Sequence, residues 1–172
     1  MIIGTFFSEA GNHFLEEFQT FNSDPETQKQ LLSIDESWTP KDYRRARKAL
    51  MAQTPFIDPS RGDLLKLREL LLSKREFFLR LMENPHLLEH ESFTDLMWAI
   101  THLGEELSAR DTIDPGNKAD MEHLANDILR AYRELLLIWI GFMAHLQTEY
   151  PYLFSLAVRT NPFNSSSSAA LS

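Results

Sequence analysis

Thirty-three residues, Lys118 to Tyr150, run without a proline, and Pro151 closes the run. Little but a single long α-helix satisfies this stretch. Leu124, Ile128, Tyr132, Leu135, Trp139, Met143, Leu146 and Tyr150 recur on one side of a 3.6-residue period, while His123, Asp127, Arg130, Glu134, Gly141 and His145 fall on the other. A chain built around such a helix needs other amphipathic helices to cover it. The expected fold is therefore all-α, a bundle of about six to seven helices with one long helix in the C-terminal half. Only six glycines and no sustained alternation of apolar and polar residues agree with this.

The other helices read in order. Phe7, Ala10, Phe14, Phe18 and Phe21 form an aromatic stripe over about 5–21, read as a core face. Pro25 starts a short helix to Leu32, and Thr39-Pro40 with Asp42 announces a capped helix over about 40–53. The prolines and glycine of TPFIDPSRGD suggest a linker, which separates an N-terminal helical unit, 1–56, from a main bundle, 57–163. That bundle opens with a predicted helix over about 63–83, followed by another over about 92–110 and a last short one from Pro151. The tail NSSSSAALS, 164–172, has too little apolar content to pack and is expected to lack order.

Composition removes several function classes. Without cysteine there are no disulfides, thiolate nucleophiles or Cys-ligated metals. The start of the chain has no basic n-region, and the apolar run Leu135–Ala144 is too short to span a bilayer. A cytoplasmic location without a transmembrane segment is the expectation. The net charge of −8 argues against general nucleic-acid binding. The charge is uneven, however: residues 41–80 hold eleven bases against five acids. Lys41, Arg44, Arg45, Arg47 and Lys48 crowd one helix and form the one candidate anion-binding element, for nucleic acid or lipid headgroups.

Two predicted helices carry stripes of ionisable groups. On the one over 92–110, Glu91, Asp95, His102 and Glu106 share a face opposite Phe93, Leu96, Ile100 and Leu103; on the long helix, His123, Asp127 and Arg130 do the same. Solvated faces explain both. If the stripes faced each other, Asp95, His102, Asp127 and Arg130 would form a buried network needing internal pairing. Asp120, His123 and Asp127 stand three and four residues apart and offer oxygen and nitrogen donors together. Known ligand patterns are nevertheless missing. Glu83-x-x-His86 is interrupted by Pro85 and has no second copy, and HExxH, magnesium-type Glu-x-x-Glu pairs, phosphate loops and nucleophile elbows are absent. No metal ligand set and no cofactor are therefore assigned. Catalysis by His102 with Glu106, or His123 with Asp127, is chemically open but weakly signalled.

Trp98 falls within the polar face of its helix, which suggests either cover by the N-terminal helices or an anchor for a partner. Leu137, Ile138 and Ile140 make the long helix apolar all round, so residues 1–56 or a second subunit must cover it.

From Ile57 onward, strings such as LLEHESFTDL and YPYLFSLAVRTNPF resemble the soluble C-terminal region of archaeal and bacterial ion-channel-like proteins, which typically stands after a two-helix, potassium-channel-type pore. This chain lacks a pore pair and a TVGYG-like filter, and residues 1–56 lie outside the resemblance. The resemblance implies a helical module that packs, oligomerises or regulates. The first expectation is thus a non-enzymatic helical interaction domain, self-associating or binding another protein, a membrane protein among the candidates, through Trp98, Leu137, Ile138 and Ile140. The alternatives are a metal-binding or hydrolytic protein using His102, Glu106, His123 and Asp127, or an anion binder using the helix over 41–48.

Overall fold

The computed structural model describes residues 2–164 and 168–171. Part of the tail expected to lack order, residues 165–167 and 172, lies outside them. In chain order the helices are α1 (Ile2–Phe6), α2 (Asn12–Gln19), α3 (Pro25–Leu32), α4 (Pro40–Ala52), α5 (Leu64–Ser73), α6 (Arg75–Met82), α7 (Glu91–Ser108), α8 (Lys118–Glu149) and α9 (Pro151–Arg159). Short 3₁₀ turns stand at Pro59–Arg61 and Pro85–Glu89, and a π-helical turn, Phe7–Gly11, joins α1 to α2. Among the described residues there is no β-strand, only a bridge between Asn22 and Ile57. No helix among them is long and apolar enough to cross a membrane. The fold is all-α.

The chain forms two compact units. One joins Met1–Ser23 to Phe56–Leu135, and the other joins Asp24–Pro55 to Leu136–Ser172.

The first unit is organised by phenylalanines. Phe14 stacks on Phe18 and Phe78 at centroid distances of 5.7 and 5.6 Å, and Phe6 meets Phe93 of α7 edge-on at 5.2 Å. Phe18 meets Tyr132 of α8 at 6.0 Å. All but Phe78 are fully buried, and each such ring contributes about 1.5–3 kcal/mol by leaving water. The sequence stripe is therefore core, and it fixes α7 and α8. Adjacent Phe6 and Phe7, where α1 passes into the π-turn, are both buried in that core. Gly11 makes room: a Cβ there would lie 2.6 Å from Phe7 Cδ1 and 2.8 Å from Phe6 Cε1. Gly11→Ala, which would stabilise an ordinary exposed helix, is expected to destabilise this one by about 1–3 kcal/mol in urea unfolding, because overpacking outweighs propensity.

The single helix expected over 63–83 is two. Lys74 (φ −98°, ψ 0°) separates α5 from α6 without proline or glycine, and the Ser73 hydroxyl donates to Leu70 O at 2.7 Å. Such back-bonding competes with the backbone ladder and bends helices.

In the second unit Thr39 and Asp42 cap α4, with Thr39 N donating to Asp42 Oδ2 at 2.7 Å. Tyr43 donates to Gln147 Oε1 at 2.8 Å, and Gln147 Nε2 donates to Trp38 O at 3.0 Å. Asn161 is buried. Its Nδ2 donates to Leu32 O and its Oδ1 accepts from Phe163 N, while Phe163 packs on Trp139 at 5.3 Å. The Asn161-Pro162-Phe163 stretch thus ends α9 and pins the chain against α3 and α8.

Candidate metal centre

The α7 stripe presents His102 and Glu106 one turn apart, and the first part of α8 presents His123 and Asp127 one turn apart; all four belong to the first unit. Phe93 and Tyr132, seated against Phe6 and Phe18, hold the two helices with these faces meeting. His102 Nε2 lies 3.5 Å from both Glu106 Oε1 and Asp127 Oδ2, and His123 Nε2 lies 3.3 Å from the same two oxygens. His102, Glu106 and Asp127 offer donor atoms all within 4.8 Å of one another.

Asp127 is the floor. Its side chain is only 4% exposed, and its Oδ2 is buried without a hydrogen-bond partner. An orphaned buried oxygen costs about 1–3 kcal/mol, more when charged. Arg130 Nη1 bonds the other oxygen, Oδ1, at 2.9 Å and leaves Oδ2 turned toward the imidazoles. The flanks are more open, with His102 and His123 side chains 46% and 50% exposed.

Glu106 is held from behind. Arg110 Nη1 donates to Glu106 Oε2 at 2.9 Å and to Glu106 O, while its Nε and Nη2 donate to Asp120, the latter at 2.6 Å. One guanidinium thus ties the end of α7 to the start of α8, where Asn117 Oδ1 caps the helix through Asp120 N at 3.1 Å. Hydrogen bonding by Arg110 holds the Glu106 and Asp120 carboxyls below the usual carboxylate range. Glu106 Oε1 is left ionised and turned to the histidines. Were this cluster to hold a divalent cation, Arg110→Ala would be expected to weaken its binding by about 10–100-fold in titration calorimetry, because partners that orient a ligand carry that share of affinity.

The structure brings together His102, Glu106, His123, Asp127 and Arg130 from the two stripes. Glu91 and Asp95 are not part of the cluster; Asp95 stands about 10 Å along α7 from His102. Asp120, a candidate ligand by spacing, is engaged by Arg110 instead. Arg110 itself was not singled out by the sequence; its position four residues after Glu106 was the available signal. The expected cover for Trp98 is not found: it is 59% exposed, four residues before His102. Ile140, offered as a contact residue, is 2% exposed and so cannot meet a partner, while Leu137 and Ile138 are half-buried. The chain buries Leu135, Leu136, Trp139 and Met143 by itself. Lys41, Arg44, Arg45, Arg47 and Lys48 are carried on α4, with Arg45 bonded to Asp42 and Arg47 to Leu137 O.

The family described as "Uncharacterized protein MJ1433, C-terminal helical domain" matches residues 1–159. The chain belongs to this family. It is 42% identical over 167 residues to the protein "Uncharacterized protein MJ1433" of Methanocaldococcus jannaschii, covering 97% of this chain and 67% of that relative. No solved structure matches. The match overturns the resemblance to ion-channel-like proteins: it includes residues 1–56, which that resemblance left out, and nothing in the family or the relative points to a channel.

Proposed function

We propose that this helical domain binds one divalent transition-metal ion, of which zinc fits best, through His102, Glu106, His123 and Asp127. The observation that carries the reading is the orphaned Asp127 Oδ2, buried and aimed at two imidazole nitrogens. Arg130 pairs with Asp127 through Oδ1 alone, and Oδ2 has no hydrogen bond of its own. A cation between Asp127, Glu106 and the histidines supplies Oδ2 with a partner.

Four of the six edges of a tetrahedral site agree, those between imidazole nitrogen and carboxylate oxygen. With metal–ligand distances of about 2.0–2.2 Å, a tetrahedral zinc site has ligand–ligand edges of about 3.3–3.6 Å. All four separations between imidazole nitrogen and carboxylate oxygen are 3.3–3.5 Å. Two imidazoles favour zinc, copper, nickel or iron over calcium and magnesium, which prefer all-oxygen shells. The supporting contacts are in place too, with Arg110 behind Glu106 and Arg130 behind Asp127. The ligand pattern matches no short motif because it is assembled from two helices, each contributing one i, i+4 pair.

Elemental analysis of protein purified without chelator, then calorimetric titration of the stripped protein with zinc, tests the proposal. One equivalent of zinc is expected. His102→Ala/His123→Ala should weaken it by at least about a hundredfold while leaving the helical circular dichroism unchanged. Zinc binding that is weak, of mixed stoichiometry, or indifferent to that double substitution would sink the proposal.

A further inference from the structure

Building on the metal-binding reading, we infer that the bound ion keeps a solvent-facing position, and that this position takes a phosphate-type oxyanion, with Arg130 as second contact and Trp98 beside it.

The site is closed on one side only. Asp127 seals its floor, whereas the imidazoles of His102 and His123 stand half in solvent. Four protein ligands complete a tetrahedral zinc shell, so the oxyanion enters as a fifth donor, an expansion that zinc allows, from the side where the imidazoles face solvent.

Charge points the same way. Glu106, Asp120 and Asp127 are negative, and Arg110 and Arg130 are positive, so with neutral imidazoles the cluster carries −1. A divalent cation turns that into +1. The empty cluster therefore attracts a cation, and the loaded one an anion.

Arg130 is the residue placed to read that anion. Its side chain is 58% exposed and commits only Nη1, to Asp127 Oδ1. Arg110, by contrast, is spent on Glu106 and Asp120 through Nε, Nη1 and Nη2. The remaining Arg130 donors form a planar fork beside an oxygen of a metal-ligand carboxylate, and a guanidinium fork matches two oxygens of a phosphate. Trp98 precedes His102 by four residues and so shares its helix face, with its ring largely in solvent. An exposed indole next to an anion site offers a flat surface to an organic group on the phosphate.

The test uses the full chain loaded with cobalt(II), whose visible spectrum reports its coordination. Inorganic phosphate and phenyl phosphate are titrated into it, with acetate as the comparison oxyanion. Both phosphates are expected to change the cobalt bands, and phenyl phosphate to bind more tightly. Compared at saturating cobalt, Arg130→Lys should lower phosphate affinity by about tenfold, whatever it does to cobalt affinity through Asp127. Trp98→Ala should remove only the advantage of phenyl phosphate. Cobalt bound at one equivalent, with bands indifferent to millimolar phosphate, would leave the metal site standing and overturn the inference. A stronger response to acetate than to phosphate, or equal phosphate binding by Arg130→Lys, would also overturn it. Failure to take up cobalt at all would remove the metal-binding reading, and this inference with it.

Discussion

If zinc binds as proposed, Asp127→Asn is expected to abolish zinc-induced thermal stabilisation while leaving the zinc-free protein about as stable as the parent. The two halves of this result have one cause. In the zinc-free protein Oδ2 is a buried carboxylate oxygen without a hydrogen bond. Replacing the charge with an isosteric amide removes that penalty and weakens the pairing with Arg130, so the two changes offset to within about 1 kcal/mol. In the loaded protein the amide is a poor ligand and the floor of the site is lost. For the parent, zinc at about a hundred times its dissociation constant adds about 2.7 kcal/mol, which for a chain of this length raises Tm by roughly 5–10 °C. Thermal melts with and without zinc read both halves. A structural role for Asp127 would instead lower the zinc-free Tm and spare the zinc increment.

The second large effect is on stability itself. Phe14→Ala is expected to cost about 3–5 kcal/mol in urea unfolding, the range for emptying a large buried aromatic site. Phe14 is 0% exposed and stacks on both Phe18 and Phe78. Its loss loosens the cluster that seats α7 and α8, so zinc affinity should fall too, although no ligand is touched. Tyr132→Phe makes the opposite control. Burial pushes its hydroxyl pKa up, and that hydroxyl has no hydrogen-bond partner among the described residues. Removing it should stabilise the protein by about 1 kcal/mol, with the ring contact to Phe18 retained.

Helix periodicity carried the fold because it reports directly which face each residue buries. The helices at Pro25–Leu32 and Lys118–Glu149, and the Thr39–Asp42 cap, were all legible. The break at Lys74 was not, since no proline or glycine marks it and a serine hydroxyl bond to the backbone leaves no periodic trace. Both polar stripes were visible, with His102, Glu106, His123 and Asp127 on them. What the sequence lacked was the relative rotation of α7 and α8, which is fixed by Phe6 on Phe93 and Phe18 on Tyr132. A site made from two ordinary i, i+4 pairs is invisible until packing places the pairs face to face. Trp98 shows the reverse limit: an aromatic on a polar face signals something, but only the structure tells cover from exposure.

Four side chains from two helices enclosing one metal ion is the central claim. Anomalous diffraction at the zinc edge, from a crystal of the zinc-loaded protein, tests it most directly. A single strong peak is expected about 2.0–2.2 Å from His102 Nε2, His123 Nε2, Glu106 Oε1 and Asp127 Oδ2. A zinc-loaded crystal with no peak between α7 and α8, or with its peak on other residues, would contradict the claim.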